Sequence, residues 1–300
     1  MSYRVTQLSM SRTTMVGLQD NLNRLQRSQE QLSSGRRLNR PSDSPVDTVS
    51  AMQLRADKQR SEQYDRNIDD GLAWLGTADK ALTVANERVT RVRQLVVSGL
   101  NATNGATERQ ALAAEVDQVR SGLISTANTQ YLGKPVFAGT QSTSYAFDPV
   151  TGAYAGNGGA VKRAVSSDPG SGTVAVNVPG TDAFGSLLSD EASGGILAGV
   201  SAALRSGNTA ALSAALTALD ASATTMSGAH SLVGARYNRL ETVQAQATAH
   251  MDAVTTSLSD AENVDLAKAI LDVQLQQTAY QASLGVAAKI IQPSLMDFLR

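Results

Sequence analysis

The chain has 300 residues, a net charge of −1, 4% aromatic residues and no cysteine. The missing thiols exclude disulfides and thiolate metal sites, and the near-neutral charge argues against a dedicated nucleic-acid binder. No apolar run approaches the roughly 20 residues needed to span a bilayer, and the N-terminus lacks the apolar core of a classical secretion signal.

The first predicted element is a helix in which Leu8, Ser11, Met15, Leu18, Leu22, Leu25, Gln29 and Leu32 alternate at gaps of three and four. That spacing forms a narrow coiled-coil seam. Its acid-free first nineteen residues also have the composition of a mitochondrial transit peptide, but the heptad continues through Asp20 to Leu32 without a processing break. Ser33 to Pro45 interrupts the helix: Gly35 suits a left-handed cap, and Pro41 and Pro45 forbid simple continuation. Ser44 and Pro45 read as the cap and first-turn residue of a second helix. That helix runs through Leu54 towards Tyr64, and Leu72, Leu75, Leu82, Ala85, Val89, Val92 and Val96 extend its stripe. Asn101 to Gly105 is a turn, after which Thr107 is expected to cap a helix bearing Leu112, Val116, Val119 and Leu123.

From about Tyr131 the pattern changes to short β-type pieces punctuated by Gly and Pro. Asp148-Pro149-Val150-Thr151-Gly152 reads as a hairpin turn between Phe147 and Tyr154, and Val174, Val176 and Val178 alternate as a half-buried strand. Gly156 to Gly159 reads as a further loop. Helical patterning returns near Ile196 and continues through Leu204, Leu212, Leu216 and Leu219, followed by a stripe of Leu232, Leu240, Val243, Ala247, Val254 and Leu258. Ser259 and Glu262 have the spacing of a capping box that would start the terminal helix. In that helix Leu266, Ile270, Val273, Gln277, Tyr280, Leu284, Ala287, Ile291, Ser294 and Phe298 form a second seam.

The expected fold class is mainly α, with a long antiparallel bundle or coiled coil formed by the N- and C-terminal regions and a small inserted β domain. Three parts are expected: a terminal coiled coil (1–40 with 260–300), a helical bundle (41–138 with 191–259) and an outer β insertion (139–190). The first 40 residues carry seven Arg against two acids, a net of +5, whereas residues 259–300 carry three bases against five acids, a net of −2. Opposite charge is expected to favour association of the two seams. Both seams also contain polar or small residues, so the terminal helices are expected to be marginal alone and to gain order on assembly.

No catalytic constellation is visible. His230 and His250 are too far apart in sequence to form a local metal clamp, and the chain lacks a P-loop, a nucleophile elbow and an EF-hand loop. No enzyme activity, cofactor or metal is therefore expected. The arginines of the first helix are not interleaved with stacking aromatics, which argues against nucleic-acid or membrane contact.

Five ordered segments carry a family likeness. Gln31 to Asn39 (QLSSGRRLN), Asn67 to Leu72 (NIDDGL) and Arg91 to Val97 (RVRQLVV) resemble the N-terminal region of bacterial flagellins. Leu232 to Leu240 (LVGARYNRL) and Ser259 to Ala267 (SDAENVDLA) resemble the C-terminal region. Within that family, the Pro-containing loop Asn39 to Pro45, the Phe147 to Tyr154 region and the ending Ile291 to Leu299 resemble the hook–filament junction branch. Ser44 departs from the acid common in that loop, and Pro293 interrupts the last helix.

The resemblance implies a structural subunit exported unfolded through the flagellar type III pathway. It would assemble with copies of itself as a helical layer between hook-associated protein 1 and flagellin, with an export chaperone on its C-terminal region. The flagellum, outside the cell, is the implied location, and a minor filament flagellin is the alternative. The residues expected to form the interface are Leu8, Met15, Leu18, Leu22, Leu25 and Leu32 with Leu266, Ile270, Val273, Tyr280, Leu284, Ile291 and Phe298.

Overall fold

A computed structural model describes residues 7–101, 105–168 and 172–291. In chain order the elements are α1 (Gln7–Ser34), α2 (Pro45–Gly99), α3 (Ala106–Ala127), β1 (Gln130–Tyr131), β2 (Lys134–Pro135), β3 (Lys162–Ala164), β4 (Thr173–Ala175), α4 (Gly180–Phe184), α5 (Ile196–Ser206), α6 (Thr209–Glu262) and α7 (Leu266–Ile291). The fold class is mainly α with two small antiparallel sheets, β1–β2 and β3–β4. The described residues divide into two compact units. One comprises residues up to Arg60 with those from Met251 onward, and the other runs from Ser61 to His250.

The larger unit is organised by a heptad on α2. Ile68, Gly71, Leu75, Ala78, Leu82, Ala85, Val89, Val92, Val96 and Gly99 follow gaps of three and four, and every one is buried. Large and small side chains alternate along much of this seam, which lets neighbouring elements interdigitate. On α6 the buried Leu212, Leu219, Met226, Val233 and Leu240 recur every seven residues. An ideal straight helix would drift out of phase with such a repeat. Of the expected stripe Leu240, Val243, Ala247, Val254 and Leu258 are covered, and only its first member is corrected: Val233 is buried and Leu232 is 42% exposed.

Helix ends also depart from expectation. Gly105 occupies the N-cap of α3 without a side-chain hydrogen bond, and Thr107 lies inside the first turn. The helix expected from Ile196 through Leu219 is two helices. Gly207, with φ of 69°, ends α5 in the left-handed conformation. Asn208 then starts α6, its side-chain oxygen accepting the Ala211 N–H at 3.0 Å.

The β segment shares its core with the helices. Phe137, Phe147 and Phe184 form edge-on ring pairs with centroids 5.2 and 5.5 Å apart. Gly180 sits so close that an added Cβ would lie 2.7 Å from both the Phe147 and Tyr154 rings. The expected turn is present: Phe147 pairs with Tyr154, and the Asp148 carboxylate accepts the N–H groups of Val150 and Thr151 at 2.9 and 2.8 Å. Those backbone donors hold the Asp148 carboxyl below its ordinary range.

The half-buried reading of Val174 to Val178 is incomplete, because Asn177 is buried too. Its side chain accepts from Val161 N–H and donates to Gly159 O, while its carbonyl accepts from Arg236 of α6. Both faces of this segment are therefore covered, and burial lowers the pKa of Arg236.

The β1–β2 hairpin closes through Leu132 and Gly133, with φ of 48° and 76°. Two positive φ values are those of the tight primed turn that matches strand twist. Leucine is a poor choice there, since its Cβ crowds the backbone, and Leu132 is 80% exposed with no packing to compensate. Leu132→Asn is expected to stabilise the larger unit by up to about 1 kcal/mol; urea unfolding checks this, and an unchanged or lower midpoint contradicts the strain.

Candidate assembly interface

The smaller unit contains α1, α7, the start of α2 and the end of α6, and α1 packs against α7. Their register is set by one polar link between them. Asn21 Nδ2 donates to Ser283 Oγ at 2.6 Å, and Ser283 Oγ in turn donates to Ala279 O at 2.8 Å. At the connector ends, Val264 N–H donates to Gly35 O at 3.0 Å and Arg37 N–H to Glu262 O at 2.7 Å. Arg36 and Asn263 thus form an antiparallel bridge.

The connectors are braced further by side chains. Glu262 is buried, and its carboxylate receives Arg55 Nε at 2.6 Å. Arg37 reaches Ala261 O at 2.9 Å and pairs with Asp47 at 3.1 Å, and Arg40 pairs with Glu30 at 3.1 Å. The Asp43 carboxylate accepts Asn39 and Arg40 N–H groups, and Ser44 caps α2 ahead of Pro45. This double use of Glu262 overturns the expected capping box. Ser259 and Glu262 belong to the last turn of α6, and α7 is capped by Asp265, which accepts Ala267 and Lys268 N–H groups at 3.0 and 3.2 Å.

The expected seam residues fall into three groups. Leu25 and Val273 are buried, at 9% and 7% exposure, and Leu18, Leu22, Leu32 and Tyr280 are half-buried. Met15 (62%), Leu266 (56%), Ile270 (46%) and Leu284 (42%) are exposed, so packing of these four between α1 and α7 is corrected. The side chains of Leu8 and Ile291, and the whole of Phe298, lie outside the described residues.

The covered face of α7 follows Ala269, Val273, Gln276, Tyr280, Ser283 and Ala287; it keeps the expected Val273, Tyr280 and Ala287 and replaces Ile270, Gln277 and Leu284 by the residue one position earlier. On α1, Thr14, Asn21 and Ser28 share the covered side with Leu18, Leu25 and Leu32. The reason is steric and polar. Alanine and serine allow closer helix approach than leucine, and the Asn21–Ser283 pair is satisfied only when those residues face each other. Apolar spacing had favoured the bulkier stripe; the small residues at 269 and 283 were the available signal.

Large apolar side chains consequently remain on the outside. Leu271 and Leu275 are each 65% exposed and Val286 54%, in addition to Leu266, Ile270 and Leu284. Met15 and Val16 add to this on α1, and Val46, Val49 and Met52 on the start of α2. Scattered single apolar residues are ordinary on protein surfaces, whereas this density on one helix makes it the candidate contact surface. The expected attraction between oppositely charged ends is not realised as contact: among the described residues no ion pair joins α1 to α7.

Among the described residues no group of three metal-ligating side chains converges. His230 meets Asp79 at 2.6 Å on the surface of the larger unit, and His250 is exposed.

Two family models match the chain: the bacterial flagellin N-terminal helical region over residues 5–142 and the C-terminal helical region over residues 216–299. Flagellar hook-associated protein 3 of Salmonella typhimurium is 25% identical over 188 residues, covering 62% of this chain and 58% of that protein. Flagellin of Bacillus subtilis is 28% identical over 296 residues, covering 93% of each. Among solved structures, a putative flagellar hook-associated protein from Vibrio parahaemolyticus matches with a TM-score of 0.64 at 21% identity, over 74% of this chain and 100% of that one. Bacillus cereus FlgL matches with a TM-score of 0.59 at 21% identity, over 69% and 99%. At such identities these structures share the fold.

The capping role of Asp265 has a direct test. Asp265→Ala is expected to destabilise the start of α7 by about 1 kcal/mol. Amide exchange should accelerate at Ala267 and Lys268 while the α2 seam of the larger unit keeps its protection; uniform exchange across both units would contradict a local cap.

Proposed function

Because the chain belongs to the bacterial flagellin family, whose members build the flagellum, we propose that it is a structural subunit of the hook–filament junction. In this reading copies of the chain form a helical layer, with hook-associated protein 1 on one side and flagellin on the other. The observation that carries the assembly role is the pair of stripes on α7. Its small residues face α1 in the same chain, and its large ones, Leu266, Ile270, Leu271, Leu275, Leu284 and Val286, face outward. Burying each large side chain against a neighbouring copy contributes roughly 1.5–3 kcal/mol. Several together offset the entropy of ordering two helices that share only a thin seam.

The same logic assigns the expected residues. Leu18, Leu22, Leu25, Leu32, Val273 and Tyr280 hold the pair together, while Met15, Leu266, Ile270 and Leu284 contact neighbours. Residues 139–190 form the outer part, away from the tube. Export through the flagellar type III pathway, an extracellular location and a chaperone on the C-terminal region belong to this reading as well.

The junction role rests on the Asn39 to Pro45 loop. Pro41 and Pro45 leave only a few free N–H groups there; the Asp43 carboxylate engages two of them, those of Asn39 and Arg40, and Ser44 caps α2 at the Asp47 N–H. The similarity to hook-associated protein 3 points the same way. A filament flagellin is the second reading, supported by the match along nearly the whole Bacillus subtilis protein.

Two experiments bear on these assignments. Deleting the gene in its host should leave hooks intact while flagellin escapes unpolymerised into the medium; normal filaments would overturn the junction role, and short or sparse filaments on capped hooks would favour the second reading. Leu275→Asp should leave the circular dichroism and thermal midpoint of the isolated chain unchanged and abolish its incorporation at the hook tip. Incorporation at the normal level would refute outward stripe contacts.

A further inference from the structure

The larger unit carries a cleft of about 490 Å³ that the assembly role does not use. Its volume lies in the range of small-molecule sites, roughly 300–1,000 Å³. Trp74 lines it together with Lys134, Arg163 and a rim that includes Thr140, Ser142 and Ser144; no acidic residue contributes to the lining. Trp74 is the single tryptophan of the chain and is 3% exposed. Its Nε1–H is buried without a hydrogen-bond partner among the described residues, although a buried indole N–H ordinarily finds one.

The cations around it are only partly neutralised. Arg163 sits over the Trp74 ring, 5.9 Å from its centroid, and gives Nε to Asp70 at 2.6 Å. Its two Nη groups have no acceptor among the described residues, and neither has the Lys134 ammonium. The site is also held in place. The Leu132–Gly133 turn fixes Lys134 at the start of β2. At the rim, Thr140 N–H donates to Asn157 Oδ1 at 2.9 Å. Gly139 lies so close to Asn157 that an added Cβ would fall 2.0 Å from its carbonyl oxygen. Within this frame the Ser142 and Ser144 hydroxyls remain without protein partners among the described residues.

We propose that this cleft binds an acidic saccharide, a sugar whose carboxylate meets Lys134 and the free edge of Arg163. Its hydroxyls exchange hydrogen bonds with the serine rim. A bare carboxylate or phosphate would use the cations but leave the neutral donors and most of the volume unfilled. A neutral sugar would leave Lys134 without a counter-charge. Charge-assisted bonds to a planar guanidinium and an ammonium are the stronger part of such recognition, and the hydroxyl contacts give it shape.

The single tryptophan makes the site self-reporting. Glucuronate is titrated into the full chain with tryptophan emission and calorimetry as readouts, and glucose and acetate as controls. A saturable response to glucuronate is expected, weakened about tenfold or more by Lys134→Ala and abolished by Lys134→Glu. Lys134 is exposed, so both variants should keep the parent circular dichroism. Absence of heat and of any emission change would overturn the proposal. So would an equal response to glucose, or binding undiminished by both substitutions. An equal response to acetate would overturn it too, by reducing the cleft to a site for a bare anion.

Discussion

The arrangement of the terminal helices depends on a short crossing of two connectors. Val264 and Arg37 donate backbone N–H groups to Gly35 and Glu262 carbonyls across the crossing, so the α1–α2 and α6–α7 connectors are joined as a two-residue ladder. Buried Glu262 ties this ladder to Arg55 of α2. A carboxylate with so little solvent contact needs its partner, because an unpaired buried charge is far more costly than the pair is stabilising. Once the crossing is fixed, α1 and α7 leave it side by side and antiparallel. Their remaining freedom is rotation about each helix axis, which Asn21 and Ser283 settle.

The two units then use one helical grammar with opposite economy. In the larger unit the α2 and α6 seams are deep, with leucine, isoleucine, valine and methionine buried at heptad spacing and closed off by the aromatic cluster beneath the β segment. In the smaller unit the covered seam is alanine, serine, threonine and asparagine around a few aliphatics, and the large side chains point away. A thin internal contact and a rich external one suit a helix pair that must first exist in a single chain and then accept neighbours. A deeper internal seam would have consumed the side chains that neighbours need.

Most elements were legible in the sequence because their signals are local. Ser44 with Pro45, Gly35, the Asp148 to Gly152 turn and the α2 stripe each declare themselves through a backbone preference or a period. The failures share a different cause. Heptad spacing identifies a helix and its apolar side, but α7 is apolar on several sides, so spacing alone could not choose between Ile270 with Leu284 and Ala269 with Ser283. Steric closeness and one polar pair chose, and neither is visible until both helices are present. Glu262 misled for a related reason: its capping spacing was genuine, but an arginine partner 207 residues away claimed the side chain. The cleft around Trp74 could not be read at all, since its parts come from α2, the β1–β2 hairpin, the following loop and β3, with no sequence period linking them.

The hydrogen bond between Asn21 and Ser283 joins residues 262 positions apart. Closing so long a loop is entropically unfavourable, and contacts of this kind form late relative to local ones. During synthesis α1 is among the first segments made, yet its partner face on α7 does not exist until almost the whole chain has followed. The larger unit, spanning Ser61 to His250, has every one of its own seam residues available sooner. The order of the polypeptide therefore imposes an interval in which the leucine-bearing N-terminal segment is present without its partner face. The low apolar content of its covered face, with Thr14, Asn21 and Ser28 among the leucines, keeps that segment from being a sticky surface while it waits.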